Sequence, residues 1–569
     1  MSLDPQQVQP ACSPNIKPIT CAIALGLIAI LLIATLAAFG PGLDNQFLNW
    51  DDDRNFLRNP LYRGLGGEQL RWAWDTYHLG VWQPLSWLIL SLQYEIGGLD
   101  PGTYHRFSLG LHALNAITFF LLTVVFLRVT VRRRFEASPA GVLLCAGLSA
   151  MLFAVHPLRV EPVTWISSQP YLPAALFFMF GVGAYVWGHR EDGKPRTPWL
   201  WLMIAFVSYC LAVGAKAIAV TLPGVLLILD VYPLRRLTRD GFSMARIVRI
   251  LVEKVPFFVV AVFISAWAST AKEISQPGRP DAFSWDAGLA QSAYGLAFYL
   301  LKTIAPTNLA AYYKLPLDLS LTHWPFALAA AGVVGMSVAL FLVRKRWPAF
   351  LAAWLIYIVV LLPNIGLIQI SQQIATDRYS YLAVMPVMVV FAMVLLAIWQ
   401  TRSRHRQIIR PCMLIAVAIL IVGLIVASRR HVRTWHDSVS LWTANLEVDP
   451  HCAHAECMLG QALALEDRFD VAKGHFERAI ELRPDFSFAY SNLGTALLAQ
   501  DQFEQAVRQF HHALNHEYQL DAEGLAKTHA ALAIAYAKLG EEALAWKHIR
   551  HAQKLGLPAD EIEKIVLSF

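Results

Sequence analysis

The sequence predicts an all-α protein in two parts, a polytopic membrane helix bundle followed by a C-terminal α-solenoid of helical repeats. Three observations support this. Of 569 residues, 56% are hydrophobic and 15% charged, and the mean hydropathy of +0.44 is too high for a water-soluble globule. Apolar windows of about 20 residues, enough to cross roughly 30 Å of hydrocarbon as a helix, recur between Ile19 and Ser428. From Arg429 onward the chain becomes charged and alanine-rich, and it repeats itself at a fixed period.

The first apolar element, Ile19 to Phe39, exceeds the apolar core of a signal peptide and has only Lys17 in front of it, so it reads as a signal anchor with the N-terminus inside. Further spans fall near 106–127, 138–155, 160–187, 198–214, 217–232, 255–271, 324–343, 348–363, 379–399 and 410–428. Lys and Arg in short loops mark the cytoplasmic side. This places Arg128, Arg132, Arg133 and Arg134 inside, with Arg190, Lys194 and Arg196, and with Arg235, Arg236, Arg239, Arg246 and Arg249. Arg344, Lys345 and Arg346 follow the same rule only if 288–305 does not cross. That stretch is therefore read as a re-entrant or surface helix on the outer face, leaving about 11 crossings and an external tail. The last span has basic residues at both ends, Arg402, Arg404 and Arg406 before it and Arg429, Arg430 and Arg433 after it.

In the tail, Leu459-Gly460, Ala472, Phe476 and Ala479 return as Leu493-Gly494, Ala506, Phe510 and Ala513, each offset by 34, which is the tetratricopeptide (TPR) period. A third unit, with Leu532, Tyr536, Gly540, Ala545, Ile549 and Ala552, keeps the internal spacing after a five-residue insertion, and Leu441 to Pro450 resembles half of a leading repeat. The domains are thus 1–428 in the membrane and 429–569 as a solenoid of about three repeats, whose concave face ordinarily binds a partner.

Seven cysteines give no disulfide framework, since Cys21, Cys145, Cys210 and Cys412 lie in spans and Cys12 in the terminus. Cys452 and Cys457 on one helix would point about 140° apart. No paired CxxC or HExxH is present, so no metal site is predicted. The net charge of +6 follows from the cytoplasmic Arg and Lys and implies no nucleic-acid partner.

The predicted topology gathers ionisable side chains on the outer face. They are Asp51, Asp52, Asp53, Arg54, His78, Gln83 and His105 from the first loop, His156, Arg159 and Glu161 between the third and fourth spans, and Lys216 at the head of the sixth; Lys272, Glu273, Lys314, Gln372, Asp377 and Arg378 follow. Polar groups at membrane depth usually line a cavity or pathway. Each also has a local reading: helix caps for Asp51 to Asp53, snorkelling for Lys216, a turn marker for His156, and a surface salt bridge for Asp377-Arg378.

These residues carry a resemblance. Trp50-Asp51-Asp52-Asp53 through Asn59-Pro60, His156-Pro157 with Glu161, Lys216 followed by Leu229-Asp230, Asn308-Leu309-Ala310 with Tyr312-Tyr313, and Asp377-Arg378-Tyr379 with Tyr381-Leu382 stand in this order. The chain resembles the transmembrane and tetratricopeptide-repeat-containing (TMTC) O-mannosyltransferases of eukaryotes, and more closely their bacterial GT-C relatives. The resemblance implies a GT-C-type bundle in a bacterial inner membrane with a periplasmic TPR domain. It implies transfer of a sugar, typically mannose, from a polyprenyl-phosphate donor to a protein hydroxyl on the extracytoplasmic side. By that alignment Asp51 or Asp52 is the general base and Asp53 a helix cap, while Arg378 and Lys216 hold the donor phosphate. His105, His156, Glu161, Asp377, Tyr312 and Tyr313 line the sugar or acceptor pocket or steady these groups, with Trp82 as a further stacking surface. The partners implied are the lipid-linked donor, a protein or peptide acceptor recruited by the TPR domain, and membrane lipids; no cofactor beyond the donor and no divalent metal is expected.

Two departures bear on donor recognition: Ser167-Ser168-Gln169-Pro170-Tyr171 stands where bacterial relatives usually carry charge, and Ala217 follows Lys216. Two other readings remain open. A noncatalytic membrane TPR scaffold of an envelope complex would not need Asp51 or Asp52, and a GT-C transferase acting on a lipid or polysaccharide would leave no modified protein.

Overall fold

In the computed structural model, residues 16–131, 138–190, 197–237, 243–275, 285–316, 318–367, 373–401, 404–558 and 562–563 are described. Arg132, Arg133, Arg134, Lys194, Arg196, Arg239, Gln372, Arg402 and Cys12, and the side chains of Lys272 and Glu273, lie outside them.

Among the described residues the fold is all-α apart from a two-residue strand β1 (Tyr313–Lys314) paired antiparallel with β2 (Gln373–Ala375). Six helices among the described residues are long and apolar enough to cross a membrane: Thr20–Asp44, Pro101–Thr130, Ile166–His189, Pro198–Ala215, Trp324–Leu342 and Arg406–Arg433. Two bent pairs raise the number to eight, Pro139–Ala154 with Pro157–Thr164 at 63° and Asp377–Ala383 with Met385–Trp399 at 52°. The protein is a multi-pass membrane protein. The other expected crossings fall on two shorter apolar helices, Ala217–Val231 and Pro348–Asn364, and on Met244–Ser275. The stretch expected to be re-entrant forms the helix Trp285–Ile304, and the eleven-crossing topology remains our proposal.

The fourth expected span is broken at its N-terminal end. Pro157, Pro162 and Pro170 each lack a backbone N–H and restrict the helix ladder, so the chain breaks into Pro157–Arg159, Val160–Thr164 and Ile166–Ser168 before resuming at Tyr171–His189, whose first turn accommodates Pro173. Non-helical backbone at membrane depth is tolerated where buried protein or a cavity satisfies it. This broken segment carries Arg159, Glu161, Trp165 and Ser167.

The last membrane helix, Arg406–Arg433, runs without interruption past the expected boundary at 428. The solenoid follows as Ser438–Val448, Ala453–Ala464, Phe469–Leu482, Ser487–Ala499, Phe503–Asn515, Ala522–Lys538 and Glu542–Lys554. The repeat signature has a steric cause: a Cβ on Gly460 or Gly494 would stand 2.7 Å from the ring of Phe476 or Phe510, so these glycines admit the aromatic of the second helix. The inter-helix turns repeat as well, with Asp467, Asp501 and Gly540 all at positive φ. The described cysteines are all free.

Candidate functional site at the outer face

The acidic run lies between two locked neighbours. Trp50 stacks on Trp165 at 4.3 Å, close to Trp435 and Trp442, and Trp165 Nε1 donates to the Trp50 carbonyl at 2.9 Å. Asp52 is fully buried. Its Oδ1 accepts from the N–H of Ser167 at 3.0 Å and from the Ser167 hydroxyl, and its Oδ2 accepts from Leu48 N–H at 3.1 Å. Burial pushes the Asp52 carboxyl up to about 7, opposed by these hydrogen bonds. Asp53 opens one wide turn closed by Arg58 N–H on its carbonyl at 2.9 Å; its carboxylate accepts from Arg54 N–H and faces Arg58 at 3.5 Å.

Asp51 differs from both. Its backbone is left-handed, with φ of 64°, a conformation uncommon for residues other than glycine and held only by its surroundings. It is partly exposed. Burial raises its carboxyl above the usual range, while the positive charges of Arg54, Arg378 and Lys216 pull it back. The fold therefore brings Asp51 from the first loop within electrostatic reach of two cations from distant parts of the chain.

Lys216 stands at the break after the Pro198–Ala215 helix. Its ammonium donates to Gln83 Oε1 at 2.9 Å and lies 5.4 Å from the Tyr171 ring centroid. Among the described residues it makes no ion pair. Burial, followed by repulsion from Arg378, lowers its pKa to about 7, and Asp51 opposes the drop. Arg378 is ion-paired to the buried Glu161 and also donates its backbone N–H to Glu161 Oε2 at 2.9 Å. Its guanidinium lies over Trp165 and Tyr379, at 5.1 and 5.3 Å, and donates to the Tyr171 hydroxyl. Tyr171 thus touches both cations. An anion entering between Lys216 and Arg378 would meet fixed donors on one side and Asp51 on the other, an arrangement suited to a phosphate leaving group and a base.

The remaining sequence-predicted residues have different placements. Glu161 is the counter-charge of Arg378. Asp377 is buried, with Oδ1 accepting from the Tyr313 hydroxyl at 3.1 Å, and its charged neighbours include Glu161 and Arg159. His156 uses both ring nitrogens: Nδ1 accepts from Leu158 N–H at 3.2 Å and Nε2 bonds the Thr303 carbonyl at 3.0 Å. It braces the broken span and is not brought to the cations. His105 is buried, with Asn45 and Asp100 as its polar neighbours, apart from Asp51. Tyr312 stacks on His454 of the solenoid at 4.2 Å, and Trp82 Nε1 donates to the Trp74 carbonyl at 2.9 Å. Ser167, Tyr171 and Trp165 were not among the predicted site residues. Their only signal was negative, a segment departing from the family pattern. Among the described residues no group of three His, Cys, Asp or Glu side chains is placed to hold a metal ion.

Fold and site define a class, a multi-pass membrane helix bundle with a polar site at one face and a TPR solenoid docked over it. The tetratricopeptide repeat family model matches residues 475–508. The chain is similar to mouse protein O-mannosyl-transferase TMTC1, at 27% identity over 237 residues (39% of this chain, 24% of that one). It is similar to human TMTC4 at 25% over 260 residues (42% and 32%), and to TMTC3 of Drosophila melanogaster at 26% over 165 residues (27% and 18%). The chain is accordingly TMTC-like, and it spans between 18% and 32% of the length of these relatives. The crystal structure of ArnT from Cupriavidus metallidurans bound to undecaprenyl phosphate aligns with a TM-score of 0.33 at 14% identity, covering 86% of this chain and 78% of that one; a score that low carries no structural argument.

Proposed function

We propose that the protein is a GT-C-type glycosyltransferase that moves a sugar from a polyprenyl-phosphate donor to a hydroxyl of a protein acceptor at the extracytoplasmic face, with mannose as the expected sugar. The observation that supports this best is the Asp51 carboxylate held within electrostatic reach of both Lys216 and Arg378. Asp51 is the general base: it removes the proton of the acceptor hydroxyl as the oxygen attacks the anomeric carbon. Lys216 and Arg378 stabilise the charge that grows on the departing lipid phosphate. Glu161 fixes the Arg378 fork, and Tyr171 separates the two cations. Asp52, with both oxygens already engaged, holds the loop instead of acting on substrate. The names of the relatives agree with O-mannosyl transfer, and the TPR domain above the site suits a polypeptide acceptor, whose local concentration it would raise. We place the bundle in a bacterial inner membrane with the solenoid in the periplasm.

The test is turnover of a panel of polyprenyl-phosphate sugars by protein in nanodiscs. Wild type should consume at least one donor, Arg378→Ala and Lys216→Ala should weaken donor binding, and Asp51→Asn should bind donor without consuming it. No turnover with any donor would favour the scaffold. Donor consumption without peptide product would favour a lipid or polysaccharide acceptor.

A further inference from the structure

The two sides of the candidate site lie at opposite ends of the membrane domain's sequence, yet both are fastened to the first part of the solenoid, and the acidic loop is tied further along as well, where Arg54 pairs with Asp521 at 2.7 Å and Glu523 at 3.1 Å. On the acidic side the anchor is Asn49, two residues before Asp51. All its side-chain polar atoms bond the tail: Nδ2 donates to the Met458 carbonyl at 2.9 Å and to Gln461 Oε1 at 3.3 Å, and Oδ1 accepts from Trp442 Nε1 at 2.8 Å. Its backbone N–H donates to Ser438 Oγ at 2.9 Å. On the cationic side the anchor is Tyr312, whose N–H donates to Asn445 Oδ1 at 2.8 Å and whose ring stacks on His454. The next residue, Tyr313, bonds Asp377 and pairs with Ala375 in the β1–β2 ladder, and Asp377 precedes Arg378. The two anchors thus share one short stretch of solenoid, from Ser438 to Gln461.

We infer that this stretch is part of the active site, a brace that sets the spacing between Asp51 and Arg378, with Asn49 and Trp442 as positioning residues. This inference rests on the proposed transferase reading. A tether that only recruited an acceptor would not need a fully bonded asparagine beside a residue in a strained backbone conformation, whereas a brace does, because strain persists only where the surroundings over-determine it. A misplacement of about 1 Å between base and phosphate cations costs on the order of 100-fold in rate. Loosening Asn49 displaces Asp51 and leaves the phosphate-binding cations in place, so the loss falls on the chemical step.

The experiment compares wild type, Asn49→Ala and Trp442→Phe, the last removing the indole N–H together with part of the buried ring. A polyprenyl-phosphate sugar and a hydroxyl-bearing peptide serve as substrates, with hydrogen exchange of residues 46–58 measured alongside. The brace predicts kcat lower by roughly 10- to 100-fold, KM for donor and peptide unchanged, and faster exchange in 46–58 without change in the membrane helices. Unchanged kcat, or a rise confined to the peptide KM, overturns it in favour of recruitment alone. If wild type turns over no donor, the transferase reading fails, and exchange still decides whether the solenoid holds the loop: unchanged exchange in Asn49→Ala then overturns the brace as well.

Discussion

Replacing Asp52 by Asn separates a residue that holds the acidic loop from one that acts on substrate. Asp52 accepts three hydrogen bonds in full burial, two from Ser167 and one from Leu48 N–H. An asparagine can keep its single oxygen on the Ser167 donors, but its NH2 must then face the Leu48 N–H, donor against donor. Leaving one buried donor unsatisfied costs about 1–3 kcal/mol. The same change at Asp51 removes no hydrogen bond of this kind, and Asn tolerates the left-handed region at least as well as Asp, so stability should hold. Loss of a general base lowers the rate about 10²–10⁴-fold, or roughly 3–5 kcal/mol of barrier. Denaturant unfolding followed by tryptophan fluorescence, paired with donor turnover on the same preparations, reads both effects. Asp52→Asn should lose stability and keep turnover within a few-fold, and Asp51→Asn should do the reverse. A stable but inactive Asp52→Asn together with an active Asp51→Asn would refute the assignment.

Three further outcomes follow from the geometry. Burial lowers the pKa of Lys216 to about 7, and a bound phosphate raises it again, so donor binding takes up a proton. Affinity should weaken by at most about tenfold per pH unit above 7, and Lys216→Arg should flatten the profile in calorimetric titrations. Glu161→Gln leaves Arg378 a buried cation without its counter-charge, which should cost about 3–5 kcal/mol of stability, visible as a lower unfolding midpoint, with donor affinity falling as the fork loses its orientation. In the third repeat, His529 and His548 are nearly buried and share a Nδ1 to Nδ1 hydrogen bond of 2.9 Å. Burial, together with the neighbouring His511, His551 and Lys547, holds both at about 4. Because the unfolded chain protonates near 6.5, their contribution is complete above that pH and is lost as pH falls toward 4, by about 1.4 kcal/mol per unit for each group. Hydrogen exchange should show Ala522–Lys538 and Glu542–Lys554 loosening first between pH 6.5 and 4, and His529→Phe should shift that onset.

Much of the architecture could be read from the sequence because its causes are local. The 34-residue offset records a steric fit between Gly460 and Phe476 that recurs at Gly494 and Phe510, and a span is a matter of length and apolar content. The gathering of Asp51, Lys216, Glu161 and Arg378 was legible only through predicted topology and the resemblance. Partner choice within the gathering was not legible. Glu161 meets Arg378 and Asp52 meets Ser167 across more than a hundred residues, and nothing near either predicts it. His105, buried in the continuous helix that starts at Pro101, and His156, bonded to Leu158 N–H and the Thr303 carbonyl at the broken span, in sequence resemble pocket residues. Tyr312 and Tyr313 look equivalent as a pair, yet Tyr312, just before β1, meets the solenoid while Tyr313, in the strand, bonds Asp377. The interruption near the start of the fourth span was written in Pro157, Pro162 and Pro170, but the hydropathy of the surrounding residues masked it.

The central claim is that the Asp51, Lys216 and Arg378 site transfers a lipid-linked sugar to a hydroxyl of a polypeptide. The most direct measurement is the mass of a serine- and threonine-containing peptide after incubation with polyprenyl-phosphate mannose and nanodisc-embedded protein, wild type beside Asp51→Asn. The account predicts a gain of one hexose with wild type and none with folded Asp51→Asn. An unmodified peptide with wild type across a panel of donors and acceptors, or equal modification by both proteins, would contradict it.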